Sequence, residues 1–133
     1  MKTAFLDTSY LIALVNKRDN LHAAALAASD NFHGPFLTTQ LVLVELANSL
    51  CLPPLRPVAV TIIEQITKDQ HTTVVACTAE RFKRALSLYG NRPDKGWGLT
   101  DCFSFIVMDE AKVMQALTFD DHFRQAGYRV PLL

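Results

Sequence analysis

Met1-Lys-Thr-Ala-Phe-Leu-Asp-Thr-Ser9 opens the chain, and its reading decides the fold. Ala4-Phe5-Leu6 is a short apolar run of the kind that forms a buried strand, and it halts at Asp7. Thr8-Ser9 then opens an apolar helical stretch, Tyr10 to Val15. A carboxylate at the handover from buried strand to helix has two readings. Asp is a good N-cap, accepting hydrogen bonds from the free N–H groups of a first turn for about 1 kcal/mol. It would also stand just outside the carboxyl end of a strand, where parallel α/β sheets bind ligands. Taken alone, Asp7 reads first as a cap, and the placement of the other acids decides the matter.

Outward from that stretch, short β-type runs alternate with longer helical ones. A helix over about 8–17 is followed by the turn Asn16-Lys-Arg-Asp-Asn20 and an alanine-rich helix over roughly 21–32. Gly34-Pro35 stops it, Phe36-Leu37 is a second strand, and Thr38 or Thr39 caps a helix over about 40–51. That helix is apolar on nearly every side, which predicts burial between other elements or at an interface. Pro57 suits the first turn of a helix over about 57–69, with an apolar stripe of Val58, Ile62, Ile63 and Ile66. Thr73–Ala76 is a third strand. Thr78 caps a helix running to about Tyr89, with Phe82, Leu86 and Tyr89 as its expected inner face.

The polar loop Gly90 to Gly98 leads into a strongly apolar helix from Thr100 to about Ala111. Gln115–Thr118 is a fourth strand, Phe119 to Phe123 a turn into a short helix, and Tyr128–Val130 a small last strand. Strands alternating with helices predict a parallel sheet of four or five strands covered on both faces, a three-layer α/β/α domain spanning 1–133.

Composition narrows the class. Half of the 133 residues are hydrophobic, and Gly and Pro are scarce, which excludes a disordered or fibrous chain. Thirteen basic residues balance thirteen acidic ones, so any nucleic-acid binding must rest on a local patch. Cys51, Cys77 and Cys102 sit in apolar sequence surroundings without CxxC spacing, and no apolar run approaches a membrane span. The expectation is a soluble protein of a reducing cytoplasm, with no membrane partner.

Most acids lie in polar or helix-surface contexts. Four do not. Asp7 ends the first strand, Glu45 stands inside an apolar helix, Asp101 precedes Cys102-Phe-Ser-Phe-Ile-Val-Met108, and Asp120 or its neighbour Asp121 follows the fourth strand. Asp101 also suits a helix N-terminus and Asp120 a cap, while Asn48 and Ser49 could give Glu45 a polar strip facing solvent. Carboxylates are rarely buried unless paired or bound to metal, and only Arg124 adjoins these in sequence. Gathered in one crevice, they would attract a hard divalent cation, Mg²⁺ or Mn²⁺, suited to phosphodiester hydrolysis. Thr8, Thr100 and Ser104 are hydroxyls placed to orient a carboxylate or a water.

These motifs, in this order, resemble the PIN-domain nucleases, and among them the single-domain VapC-type toxins of toxin–antitoxin pairs. The matching residues are Phe5-Leu-Asp-Thr-Ser9, Thr38 to Asn48, Arg92 to Cys102 and Leu117-Thr-Phe-Asp-Asp-His-Phe123, covering nearly the whole chain. The resemblance implies a metal-dependent endoribonuclease acting on single-stranded RNA. Its acidic quartet would be Asp7, Glu45, Asp101 and Asp120, with Thr8 and Ser104 in supporting positions and Asp121 as the alternative fourth acid. It further implies homodimers and a cognate antitoxin protein.

On the substrate side, Arg81, Lys83, Arg84, Arg92 and Lys95 form a local basic surplus before Asp101, and of these Arg84, Arg92 and Lys95 are the candidates for holding RNA phosphates. Trp97 reads as packing that closes its loop, with base stacking as the alternative. His22, His33, His71 and His122 lack HxxxH or Cys partner spacing, so no histidine-based metal site is expected. An aspartate-dependent phosphatase would place a second acid where Ser9 stands, and a nucleotide binder a Gly-rich turn. A catalytically silent interaction module of the same fold is the rival from another class, with the helices over 40–51 and 57–69 as its contact surface.

Overall fold

A computed structural model describes residues 2–133. Four parallel strands, β1 (Ala4–Leu6), β2 (Phe36–Thr39), β3 (Thr72–Val75) and β4 (Gln115–Leu117), form one sheet in the order β3-β2-β1-β4. The connections carry α1 (Thr8–Val15), α2 (His22–Ser29), α3 (Gln40–Ser49), α4 (Arg56–Lys68), α5 (Ala79–Asn91) and α6 (Leu99–Ala111), with α7 (His122–Gln125) after β4. The parallel sheet flanked by helices is the expected three-layer α/β/α arrangement.

Register places the strand ends. Leu6 pairs with Leu117 and Phe5 with Leu37, so Asp7 emerges beside Thr118 on one flank and the end of β2 on the other. β1 has a neighbour from each half of the chain, which makes its carboxyl end the topological switch point where a crevice opens. Buried hydroxyls stitch these ends. Thr38 Oγ1 donates to the Leu6 carbonyl at 2.9 Å, while Thr39 Oγ1 accepts from Val42 N at 3.1 Å and caps α3.

Core packing fixes α6 against the sheet. Cys102 through Met108 are all buried, and an aromatic chain runs Trp97–Phe105–Phe123–Phe5 with ring centroids 5.0, 5.0 and 5.8 Å apart. Burying each such ring contributes about 1.5–3 kcal/mol, which holds the first turn of α6 beside the end of β1.

Four expectations need correction. Phe82, Leu86 and Tyr89 do not face inward: they are 43–49 % exposed, while Ala85 is fully buried and Leu88 half-buried. α5 packs on α6 through the small Ala85, and Arg81 and Arg84 tie it to Glu110 at 3.4 and 2.5 Å, so the large stripe is left outward. α3 is not buried all round. Val42, Leu43 and Leu46 face the core, but Val44, Glu45, Asn48 and Ser49 face water. Cys51, just past this helix, is exposed rather than in apolar surroundings, whereas Cys77 is half-buried and Cys102 buried. The last strand shrinks to a single bridge, Gln115 to Arg129, because it is confined between Gly127 at φ +97° and Pro131, which has no N–H to donate. No described helix is long and apolar enough to cross a membrane.

Candidate active site

Asp7 is 4 % exposed at the carboxyl end of β1. Its Oδ2 accepts from Thr118 Oγ1 at 2.7 Å and from Ser9 Oγ at 3.3 Å. Thr118 Oγ1 in turn accepts from Asp120 N at 2.9 Å, and Ser9 Oγ accepts from Phe119 N at 2.9 Å. The ends of β1 and β4 are thereby welded by side chains as well as by the ladder. This web positions Asp120 where the chain turns toward α7.

Asp101 enters from the first turn of α6, where its Oδ2 accepts from Gly98 N at 3.2 Å. The expected helix-terminus role is therefore present, and the same oxygen also meets His122 Nδ1 at 2.8 Å. His122 Nδ1 lies 3.2 Å from Asp120 Oδ2, while the His122 backbone N–H donates to Asp120 Oδ1 at 2.9 Å. Ligand atoms of Asp101, Asp120 and His122 all lie within 4.8 Å of one another. The sequence reading set His122 aside for want of a histidine partner. The signal lay in Asp120-Asp-His122, where a tight turn returns the ring to the carboxylate two residues before it.

Glu45 reaches the same end of the sheet from the exposed face of α3, where Oε1 accepts from Thr8 Oγ1 at 2.7 Å. Thr8 directly follows Asp7, so Glu45 borders the crevice through this hydroxyl. Other candidates stand apart. Ser104 is buried and donates to the Thr100 carbonyl at 3.0 Å within α6, which leaves its hydroxyl engaged in its own helix. Thr100 is half-buried. Asp121 turns outward to Arg124 at 2.6 Å and Gln125 at 3.2 Å, away from His122 and Asp120.

The basic residues are partly spent. Arg84 pairs with Glu110, and Arg92 grips Asp94 through two 3.0 Å hydrogen bonds while lying 4.9 Å over the Trp97 ring. Lys95 carries no ion pair among the described residues. Trp97 is buried and its Nε1 donates to Gln125 Oε1 at 3.2 Å, so it closes the loop.

Electrostatics single out Asp7. Burial, with smaller contributions from the charges of Asp101 and Asp120, pushes its carboxyl up to about 6, against the lowering effect of the Thr118 and Thr8 hydrogen bonds. That rise corresponds to about 3 kcal/mol against the ionised form. The rise is what remains after the Thr118 and Thr8 hydrogen bonds have lowered the carboxyl, so burial outweighs them. Asp101 is also raised, first by burial, with the His122 contact opposing. Among the described residues no Lys or Arg pairs with Asp7, Asp101 or Asp120, and the carboxylate-rich donor set fits a hard divalent cation held chiefly through oxygen.

A parallel sheet with acids gathered at its switch point defines an α/β protein with a cation-ready crevice. Residues 4–127 match the PIN domain, and the chain belongs to that family. No curated protein matches it. Among solved structures, the sarcin–ricin-loop-cleaving toxin VapC20 of Mycobacterium tuberculosis is similar at 26 % identity and a TM-score of 0.86, over 94 % of this chain and 95 % of that one. A toxin–antitoxin complex from Klebsiella pneumoniae (15 % identity, TM-score 0.66, 97 % and 93 % covered) shares the fold. So does VapBC2 of Rickettsia felis bound to promoter DNA (13 %, 0.64, 96 % and 96 %).

Proposed function

We propose that the protein is a divalent-cation-dependent endoribonuclease, the toxin of a toxin–antitoxin pair, with Asp7, Glu45, Asp101 and Asp120 as its catalytic acids. The observation that supports this is the cluster of Asp101 and Asp120 with His122, to which Asp7 is linked through Thr118 and the charges it feels from both acids, while Glu45 is hydrogen-bonded to Thr8. Membership of the PIN family and the similarity to VapC20 support RNA as the polymer.

Asp7, Asp101 and Asp120 would hold Mg²⁺ or Mn²⁺, with Glu45 at the border. The cation supplies charge stabilisation to the phosphodiester and acidity to a water. Asp7 would present its buried carboxylate to that cation, whose charge would offset the burial that raises the carboxyl in the cation-free chain. Thr118 and Ser9 keep that carboxylate aimed, and Thr8 steadies Glu45. Lys95, on the loop that ends at α6, holds RNA phosphates, with Arg92 and Arg84 weaker contributors because Asp94 and Glu110 occupy them.

The outward stripe of Phe82, Leu86 and Tyr89 on α5 supports self-association, and an apolar groove lined by Leu50, Leu52, Leu55 and Val58 offers a surface to an antitoxin chain. Three unpaired cysteines suit a reducing cytoplasm.

The test is cleavage of labelled single-stranded RNA by purified protein with Mg²⁺ or Mn²⁺. Products ending in 5′-phosphate, lost with chelator and in Asp101→Asn, are expected. Cleavage that persists in that variant at the parent rate contradicts the assignment.

A further inference from the structure

We propose that His122 is itself a ligand of the cation site, together with Asp101 and Asp120, and that its nitrogen makes the site select Mn²⁺ over Mg²⁺; this rests on the metal-dependent reading above. The ring is built into the cluster. Nδ1 stands 2.8 Å from Asp101 Oδ2 and 3.2 Å from Asp120 Oδ2. Neighbouring ligands of an octahedral ion with bonds near 2.1 Å are about 3 Å apart, so these separations already match adjacent coordination positions. His122 is also held from behind, because its backbone N–H donates to Asp120 Oδ1 at 2.9 Å and Phe123 is anchored in the aromatic core.

The donor type sets the preference. Mg²⁺ takes oxygen ligands in near-ideal octahedra and sheds its waters reluctantly, whereas first-row transition ions accept imidazole readily. A site in which one imidazole joins the carboxylates therefore discriminates by softness as well as by charge. Coordination through Nδ1 uses the neutral ring tautomer that carries its proton on Nε2, so the Nδ1 lone pair faces the cation. His22 is occupied elsewhere, with Nδ1 at 2.8 Å from the Ala13 carbonyl, and the cluster contains neither His33 nor His71, so a nitrogen ligand can be assigned to one residue.

The experiment loads the full chain with Mn²⁺ and reads spin-echo modulation from a coordinated nitrogen, alongside calorimetric titrations of Mn²⁺ and Mg²⁺. Parent protein is expected to show nitrogen modulation that changes on ¹⁵N-histidine labelling. His122→Asn, which keeps an oxygen near the Nδ1 position, is expected to lose it. In that variant Mn²⁺ affinity should fall about tenfold and Mg²⁺ affinity by less than about threefold. Bound Mn²⁺ without nitrogen modulation in the parent protein, or modulation that survives in His122→Asn, overturns the proposal and leaves the nuclease reading standing. If the parent protein binds neither ion, the metal-dependent reading falls and this inference with it.

Discussion

Thr118 Oγ1 donates a 2.7 Å hydrogen bond to Asp7 Oδ2, joining the ends of two adjacent parallel strands across 111 positions of sequence. The same oxygen accepts from Asp120 N, so one buried hydroxyl aligns two of the acids.

Replacing that hydroxyl by a methyl group of the same shape tests its role. Thr118→Val should lower unfolding free energy by about 1–3 kcal/mol, the cost of stranding a buried polar partner. Urea denaturation at pH 7 measures it. A change within experimental scatter would show that Asp7 finds another donor.

Asp7 makes stability depend on pH in a stated direction. Its carboxyl titrates near 6 in the folded chain and near 3.8 when unfolded. Between those values the unfolded state binds fewer protons, so stability is fullest below about pH 4 and falls as pH rises through 6. In cation-free protein at pH 7 the loss is on the order of 2–3 kcal/mol. Asp7→Asn should remove this dependence and raise the melting temperature at neutral pH. A variant that melts lower than the parent at pH 7 and equally at pH 4 would contradict the sign.

Trp97 is a packing residue with an edge-on contact to Phe105. Trp97→Ala should therefore cost about 3–5 kcal/mol of stability. Its fluorescence should stay blue-shifted and change little when RNA is added. Strong quenching by RNA would place the indole at the substrate instead.

The cations differ in what they have left to give. Lys95→Ala should reduce the salt slope of RNA binding by about one, while Arg84→Ala, already paired with Glu110, should leave it nearly unchanged. Equal slopes for both variants would remove Lys95 from the substrate path.

Element order and sheet type were legible because period-2 and helical runs alternate cleanly and Asp7, Thr39 and Thr78 mark helix starts. The inner face of α5 was not. Size suggested Phe82, Leu86 and Tyr89, but close approach to α6 selects Ala85, and no local pattern reports the facing helix. Asn48 and Ser49 did signal that Glu45 faces water. What they left out was the partner that face meets, Thr8, 37 residues earlier. His122 was invisible for a similar reason: its partner Asp101 lies 21 residues away, across a strand.

The most direct test is anomalous diffraction from crystals grown with Mn²⁺. A peak is expected within coordination distance of the Asp101 and Asp120 carboxylates, on the side of the sheet where Asp7 emerges. Mn²⁺ bound only elsewhere, with Asp101 and Asp120 still hydrogen-bonded to His122, would contradict the metal-dependent reading.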